Sequence, residues 1–163
     1  MYRSGHYGAA LLAYAPVGLF VSISGYEPLA IVGGVVAVAL STTPDYDRRL
    51  PAIDHRGPTH TLVFALLVGA ALAGGAAIVV SGPSPFSEVG FVLFAFVVGV
   101  ISVGSHLVVD ALTPAGVKPF WPISNRRYAL NVSRGANTHA NYALLGSGVL
   151  VSVGIAVGNL VVF

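Results

Sequence analysis

Cysteine is absent from the chain, which excludes disulfides and thiolate metal ligands. Any metal bound here must be held by His, Asp, Glu or backbone oxygen. Charge is also scarce. Asp, Glu, Lys and Arg together make up 9% of the residues, where a soluble domain carries about a quarter. Internal repeats and low-complexity linkers are missing too, and 163 residues read as one domain. The net charge of +2 is small, and no nucleic-acid partner is expected. With 55% of its residues hydrophobic, the chain reads as an integral membrane protein.

What is present is a set of long apolar runs punctuated by Gly and Pro. Five spans are expected, at about 7–24, 29–43, 58–80, 89–112 and 142–162. The first follows Arg3 and ends at the small-x-small site Ser22-Ile23-Ser24, so it has the outline of a secretory signal. It is long for a signal core and near the length needed to cross a bilayer, so it is read as a retained span. Gly25-Tyr26-Glu27-Pro28 and Ser81-Gly82-Pro83-Ser84-Pro85 are tight turns. The runs are too long and too little alternating for strands, and only helices or closed barrels can satisfy the backbone in lipid. The expected fold is all-α, a polytopic membrane helix bundle. The segment 113–141, with Pro114, Pro119, Pro122, Phe120 and Trp121, is expected as an irregular loop at the headgroup level.

Charge sorts by side. With the N-terminus inside, all eight Lys and Arg fall in segments 1–6, 44–57 and 113–141, while both Glu, Glu27 and Glu88, fall outside. The positive-inside rule then predicts an N-in, C-out topology in the cell membrane, with the polar residues on the cytoplasmic side. All five His and all four Asp lie at that same face.

The polar residues form two knots. Pro44–Thr61 holds Asp45, Asp47, Asp54, Arg48, Arg49, Arg56, His55 and His60. His106 and Asp110 stand four apart, on one helix face about a turn from each other. That spacing suits two ligands of one metal, a ligand with its orienting carboxylate, or a His–Asp bond locking two helices. Depth favours function, because ionisable groups within a span are expensive. Asp45 and Asp47 follow a helix C-terminus, where the dipole calls for a cation, either Arg48 and Arg49 or a metal. His60 is expected in the first turn of the third helix. Arg56 is either a topology anchor or a clamp on a substrate phosphate. His139, just before the fifth span, is read as structural or peripheral.

Three motifs in order carry a resemblance: Pro44-Asp45-Tyr46-Asp47, His55-Arg56-Gly57-Pro58-Thr59-His60, and His106-x-x-x-Asp110-x-x-Thr113-Pro114-x-Gly116. With the early His6 and the later Trp121-Pro122, they resemble the YdjM-like family of membrane-bound metal-dependent hydrolases over about residues 6–122. The resemblance implies a multi-span protein with a His/Asp metal centre and hydrolytic activity. Thr61 stands where the family pattern has Ser, and Asn137, His139 and Asn141 stand where some relatives carry a Glu.

The expected centre uses His6, Asp45, Asp47, His60, His106 and Asp110, with His55 in reserve. Six N/O ligands exceed the needs of one catalytic zinc and suit one or two divalent ions, with zinc first and manganese or iron also compatible. Asp47 or Asp110 is the expected general base. Arg56, Arg126 and Arg127 are expected to hold the phosphate of a lipid-like phosphoester drawn from the membrane. A homo-oligomer could complete the site. Two other readings stay open: a non-catalytic metal-binding membrane protein, and a small ion or proton transporter using His106 and Asp110.

Overall fold

The computed structural model describes residues 1–49, 55–80 and 85–162. Within them the chain is helical. The helices are α1 (Arg3–Ile23), α2 (Glu27–Leu40), α3 (Leu62–Val79), α4 (Pro85–Ala111) and α5 (Thr138–Val162). Two 3-10 turns, Pro44–Arg49 and Pro58–His60, stand between α2 and α3. Five helical stretches are long and apolar enough to cross a membrane, counting α2 with the turn after it as Glu27–Arg49. The expected helix bundle of five spans is therefore present. No strand is formed among the described residues.

Some boundaries differ from those expected. α2 alone has 14 residues, about 21 Å of rise, short of a bilayer core of about 30 Å. The 3-10 turn lengthens it. α3 begins at Leu62 rather than at Pro58, because Thr61 caps it by accepting the Phe64 N–H on its hydroxyl. His60 thus sits before the cap, and the expectation that it lies in the first turn of the third helix is corrected. Asp54 and most of the second tight turn lie outside the described residues.

α1 and α4 form the centre of the bundle. α4 packs on α1, α2 and α3, and α1 packs on α2, α4 and α5. Glycines set the close crossings, as expected where lipid gives no hydrophobic drive between helices. A Cβ on Gly99 would lie 2.7 Å from the Gly69 Cα at the α3–α4 crossing. A Cβ on Gly8 would run into the Leu144 backbone at the α1–α5 crossing. Tyr14, Ala37 and Val98 form an apolar centre, and the Tyr14 hydroxyl donates to the Ala30 carbonyl at 2.7 Å.

The segment after α4 is more ordered than an irregular loop. Val117 and Tyr128 form an isolated antiparallel bridge. The Leu130 and Val132 N–H groups donate to the Ala111 and Leu112 carbonyls at 2.8 and 2.9 Å. These bonds satisfy carbonyls that the helix end leaves orphaned. The Leu62 N–H donates to the Pro119 carbonyl at 2.8 Å, joining the segment to the start of α3. The segment therefore closes over the end of the bundle where the polar knots meet.

Candidate metal centre

Four parts of the chain bring the centre together. α1 supplies His6 from its first turns, the 3-10 turn after α2 supplies Asp45 and Asp47, the second 3-10 turn supplies His60, and the last turns of α4 supply His106 and Asp110. His6, His60 and His106 are fully buried, and Asp47 and Asp110 are 1% exposed. Polar groups this deep require partners.

The hydrogen-bond network fixes the two central imidazoles. His106 Nδ1 is 2.8 Å from the Ser41 carbonyl oxygen, which can only accept, so Nδ1 carries the proton. His60 Nδ1 lies 3.2 Å from Asp47 Oδ2 and 3.1 Å from the Thr59 hydroxyl oxygen. Thr59 donates its own proton to Asp47 Oδ2 at 2.9 Å, so His60 Nδ1 is again the donor. With the proton of a neutral ring on Nδ1, the lone pair of each is on Nε2. These two Nε2 atoms face each other at 3.2 Å.

Two lone pairs at that distance repel unless a proton or a cation lies between them. The surroundings favour a cation. Asp110 Oδ2 is 3.6 Å from His106 Nε2 and 3.7 Å from His60 Nε2. Asp45 Oδ1 is 3.8 Å from His60 Nε2 and 4.0 Å from His106 Nε2. Both carboxylate oxygens are buried without a hydrogen-bond partner. One proton could serve only one pair of these atoms, whereas a cation serves all of them. Ligands about 2.0–2.1 Å from a tetrahedral zinc stand roughly 3.3 Å apart, so the observed spacing is close to a ligand cage. His60, His106 and Asp110 form one group that could hold a metal ion.

His6 stacks on His106, with ring centroids 3.8 Å apart and planes within 9°. Both His6 nitrogens lack hydrogen-bond partners, and Nε2 is 3.8 Å from Asp110 Oδ1. His6, Asp45 and His106 form a second possible ligand group, and Asp45, His55 and His60 a third.

Asp47 is arranged differently. Its Oδ1 faces His55 Nδ1 at 2.9 Å, and its Oδ2 takes the Arg56 N–H at 3.1 Å besides Thr59 and His60. No oxygen of Asp47 is left to face the gap between the two Nε2 atoms. Its contacts are those of a carboxylate that orients a ligand histidine. Arg56 is similarly committed. It donates to the Gly116 carbonyl at 2.8 Å and to Thr113 Oγ1 at 3.4 Å, and its guanidinium lies 3.3 Å from Asp110 Oδ2. Its φ of 64° is in the left-handed region, a conformation costly for a residue with a Cβ. Asp110 Oδ1 pairs with the Met1 amino group at 2.9 Å, and Asp45 pairs with Arg48 at 3.2 Å.

Outside the buried cluster, a cleft of about 570 Å³ is lined by His55, Arg56, Lys118, Trp121 and Arg127, among others. Arg126 does not line it; its guanidinium lies 5.3 Å from the centre of the Tyr128 ring. His139 is exposed and stands apart from the cluster.

Four contributors carry little signal in the sequence. Ser41 acts through its backbone carbonyl, which has no residue-type signature. Thr59 bridges Asp47 and His60 from within a motif notable for its histidines. Asn141 is fully buried, accepts the Tyr2 N–H at 3.0 Å, and donates to the Gly135 and Asn137 carbonyls, holding the start of α1 against α5. Lys118 lines the cleft because the Val117–Tyr128 bridge turns it there, a pairing 11 residues across that composition does not announce.

A family model described as YdjM inner membrane protein matches residues 1–162. No curated protein matches the chain, and no solved structure does.

Proposed function

The chain belongs to the YdjM inner membrane protein family, and from that premise we propose that it is a membrane-bound, metal-dependent hydrolase acting on a phosphoester of a lipid-like substrate. The observation that carries this reading is the pair of facing Nε2 atoms at 3.2 Å, beside two buried carboxylate oxygens that accept no hydrogen bond, with a basic cleft joined to them through Arg56.

His60, His106 and Asp110 would hold a divalent ion, with Asp45 beside them and His6 available to a second one; zinc, manganese and iron all accept such ligands. Such an ion supplies Lewis acidity and activates water at neutral pH. The chain's own residues do the rest. The Ser41 carbonyl and the Asp47 carboxylate keep the protons of His106 and His60 on Nδ1, so both Nε2 lone pairs point inward. Asp110 is shared between the buried cluster and Arg56, and with its other oxygen on the Met1 amino group its role is to hold the ion. Arg56 holds Asp110 from the cleft side. The closing segment 113–141 and the helix ends around the cluster limit bulk water, which strengthens every charge interaction inside.

Orientation follows from charge. Every Lys and Arg lies toward the polar end, and Glu27 and Glu88 begin helices at the other end. The positive-inside rule puts the centre at the cytoplasmic face. Transport has less support. Among the described residues the buried His and Asp side chains gather at one end, and no chain of ionisable groups leads from them to the other.

The test is elemental mass spectrometry of detergent-purified protein beside a His60→Ala, His106→Ala variant, followed by phosphate release from short-chain lipid phosphoesters. Stoichiometric metal and turnover, both lost in the variant, are expected. Metal without turnover on any phosphoester would favour the non-catalytic metal-binding reading. Protein that stays empty after zinc or manganese is added would sink both.

A further inference from the structure

We propose that Lys118 and Arg127, which line the cleft together with His55, form a subsite for a phosphate-bearing anion, and that Arg56 is a positioning residue for Asp110 rather than the phosphate clamp. This rests on the hydrolase reading and deepens it by naming the groups that receive the substrate's charge.

Three observations carry the inference. First, the cleft lining holds Arg56, Lys118 and Arg127 and, among the described residues, no acid. Such a concentration of one sign in a recess of about 570 Å³ attracts anions. Second, the three cations are not equivalent. Arg56 is spent on Asp110, Gly116 and Thr113. Arg127 makes a single 3.3 Å bond to the Ala115 carbonyl, and the Lys118 ammonium has no partner among the described residues. The uncommitted charge of the cleft therefore belongs to Lys118 and Arg127, whose donors match phosphate oxygens. Third, the cleft adjoins the centre. Arg56 spans the two, with its backbone N–H on Asp47 and its guanidinium on Asp110, and His55 borders the cleft while bonded to Asp47. An anion held by Lys118 and Arg127 thus lies one side chain from the buried cluster.

Arg126 provides the internal control. It is one residue from Arg127 and carries the same charge, but it faces Tyr128 and not the cleft. Non-specific attraction to an anionic surface would use both residues alike, whereas a built subsite uses Arg127.

Trp121, the only tryptophan of the chain, lines the cleft and reports on it directly. Detergent-purified protein, without added metal, would be titrated with inorganic phosphate in one arm and dihexanoyl phosphatidic acid in the other, following Trp121 fluorescence. A saturable change is expected in at least one arm. Saturation by phosphate alone identifies the free ion as sufficient, and saturation only by the lipid identifies the headgroup with its glycerol as the source. Lys118→Gln combined with Arg127→Gln should weaken binding by about a hundredfold, on the strength of charge-assisted hydrogen bonds. Arg126→Gln should change it less than about twofold, and Lys118→Arg with Arg127→Lys should restore most of it. Binding should weaken with added sodium chloride. No saturable response in either arm, or equal losses for Arg126→Gln and Arg127→Gln, would overturn the proposal. The readout needs neither metal nor turnover, so a protein that binds the anion but hydrolyses nothing refutes the hydrolase reading and leaves the subsite standing.

Discussion

α3 and α4 are both built almost wholly from apolar residues, yet 11% of the most apolar stretch of α3 is buried inside the protein and 44% of that of α4. α3 carries no hydroxyl, amide or charged side chain between Leu62 and Val79. α4 carries Ser102, Ser105, His106 and Asp110 in its second half, all buried. Residues 102, 106 and 110 repeat every four positions and so share one face. That face turns inward against α1, α2 and the two 3-10 turns. Hydrophobicity therefore suits both helices to lipid, and a few polar positions accompany the one that is buried inside the bundle. The two still meet closely, through Gly69 and Gly99, because small residues are what allow helices to approach in a bilayer.

The largest difference between the two helices is expected when a ligand is removed from α4 and an equally large side chain from α3. His106→Ala should abolish stoichiometric metal binding, measured by elemental mass spectrometry. Leu67→Ala, on the exposed face of α3, should leave metal content unchanged. Equal effects would mean that metal loss reports only general damage. A smaller effect is expected one step out from the ligands. Asp47→Asn keeps the shape but weakens the hold on His60, and should lower metal affinity by roughly 10- to 100-fold. A loss as complete as that of His106→Ala would instead make Asp47 a direct ligand, as its motif suggests.

The crossing itself gives the third test. Gly99→Ala puts a methyl group against the Gly69 backbone and should cost about 1–3 kcal/mol in detergent unfolding. Gly104→Ala, with nothing within 4 Å of the new methyl, should be neutral or slightly stabilising, by up to about 1 kcal/mol. The smallest change is expected from Leu67→Ala in the same assay, at most about 0.5 kcal/mol, because its side chain leaves detergent for no fixed cavity. Comparable losses for Gly99→Ala and Gly104→Ala would show that the α3–α4 approach is not set by glycine.

Much of this architecture is legible in the residues themselves. Five apolar runs of spanning length stand out against so few charges, and the helices lie close to where those runs are. The gathering of His6, Asp45, His60, His106 and Asp110 at one end also follows from chain order. Each crossing reverses direction, so alternate connections return to the same side. The start of α3 is less legible, because Pro58 opens a 3-10 turn and the helix waits for the Thr61 cap. The separate roles of Asp47 and Arg56 are not legible at all. Both lie in a motif where every polar residue looks like a ligand or a clamp, and only the direction of each side chain separates them.

Residue order alone dictates that this chain carries five segments long and apolar enough to cross a membrane, and that its His and Asp residues share one end. Those properties depend on hydrophobic length and on connectivity, which are additive along the chain. The three-dimensional packing is what makes the Nε2 atoms of His60 and His106 face each other and lets Asp110 rather than Asp47 turn an oxygen toward them. It also binds Arg56 to Asp110 while leaving Lys118 and Arg127 open to the cleft. Those outcomes depend on rotamers and on contacts between residues tens of positions apart. They are set by how closely the glycine crossings let α1, α3 and α4 approach and by how the segment after α4 folds back over their ends.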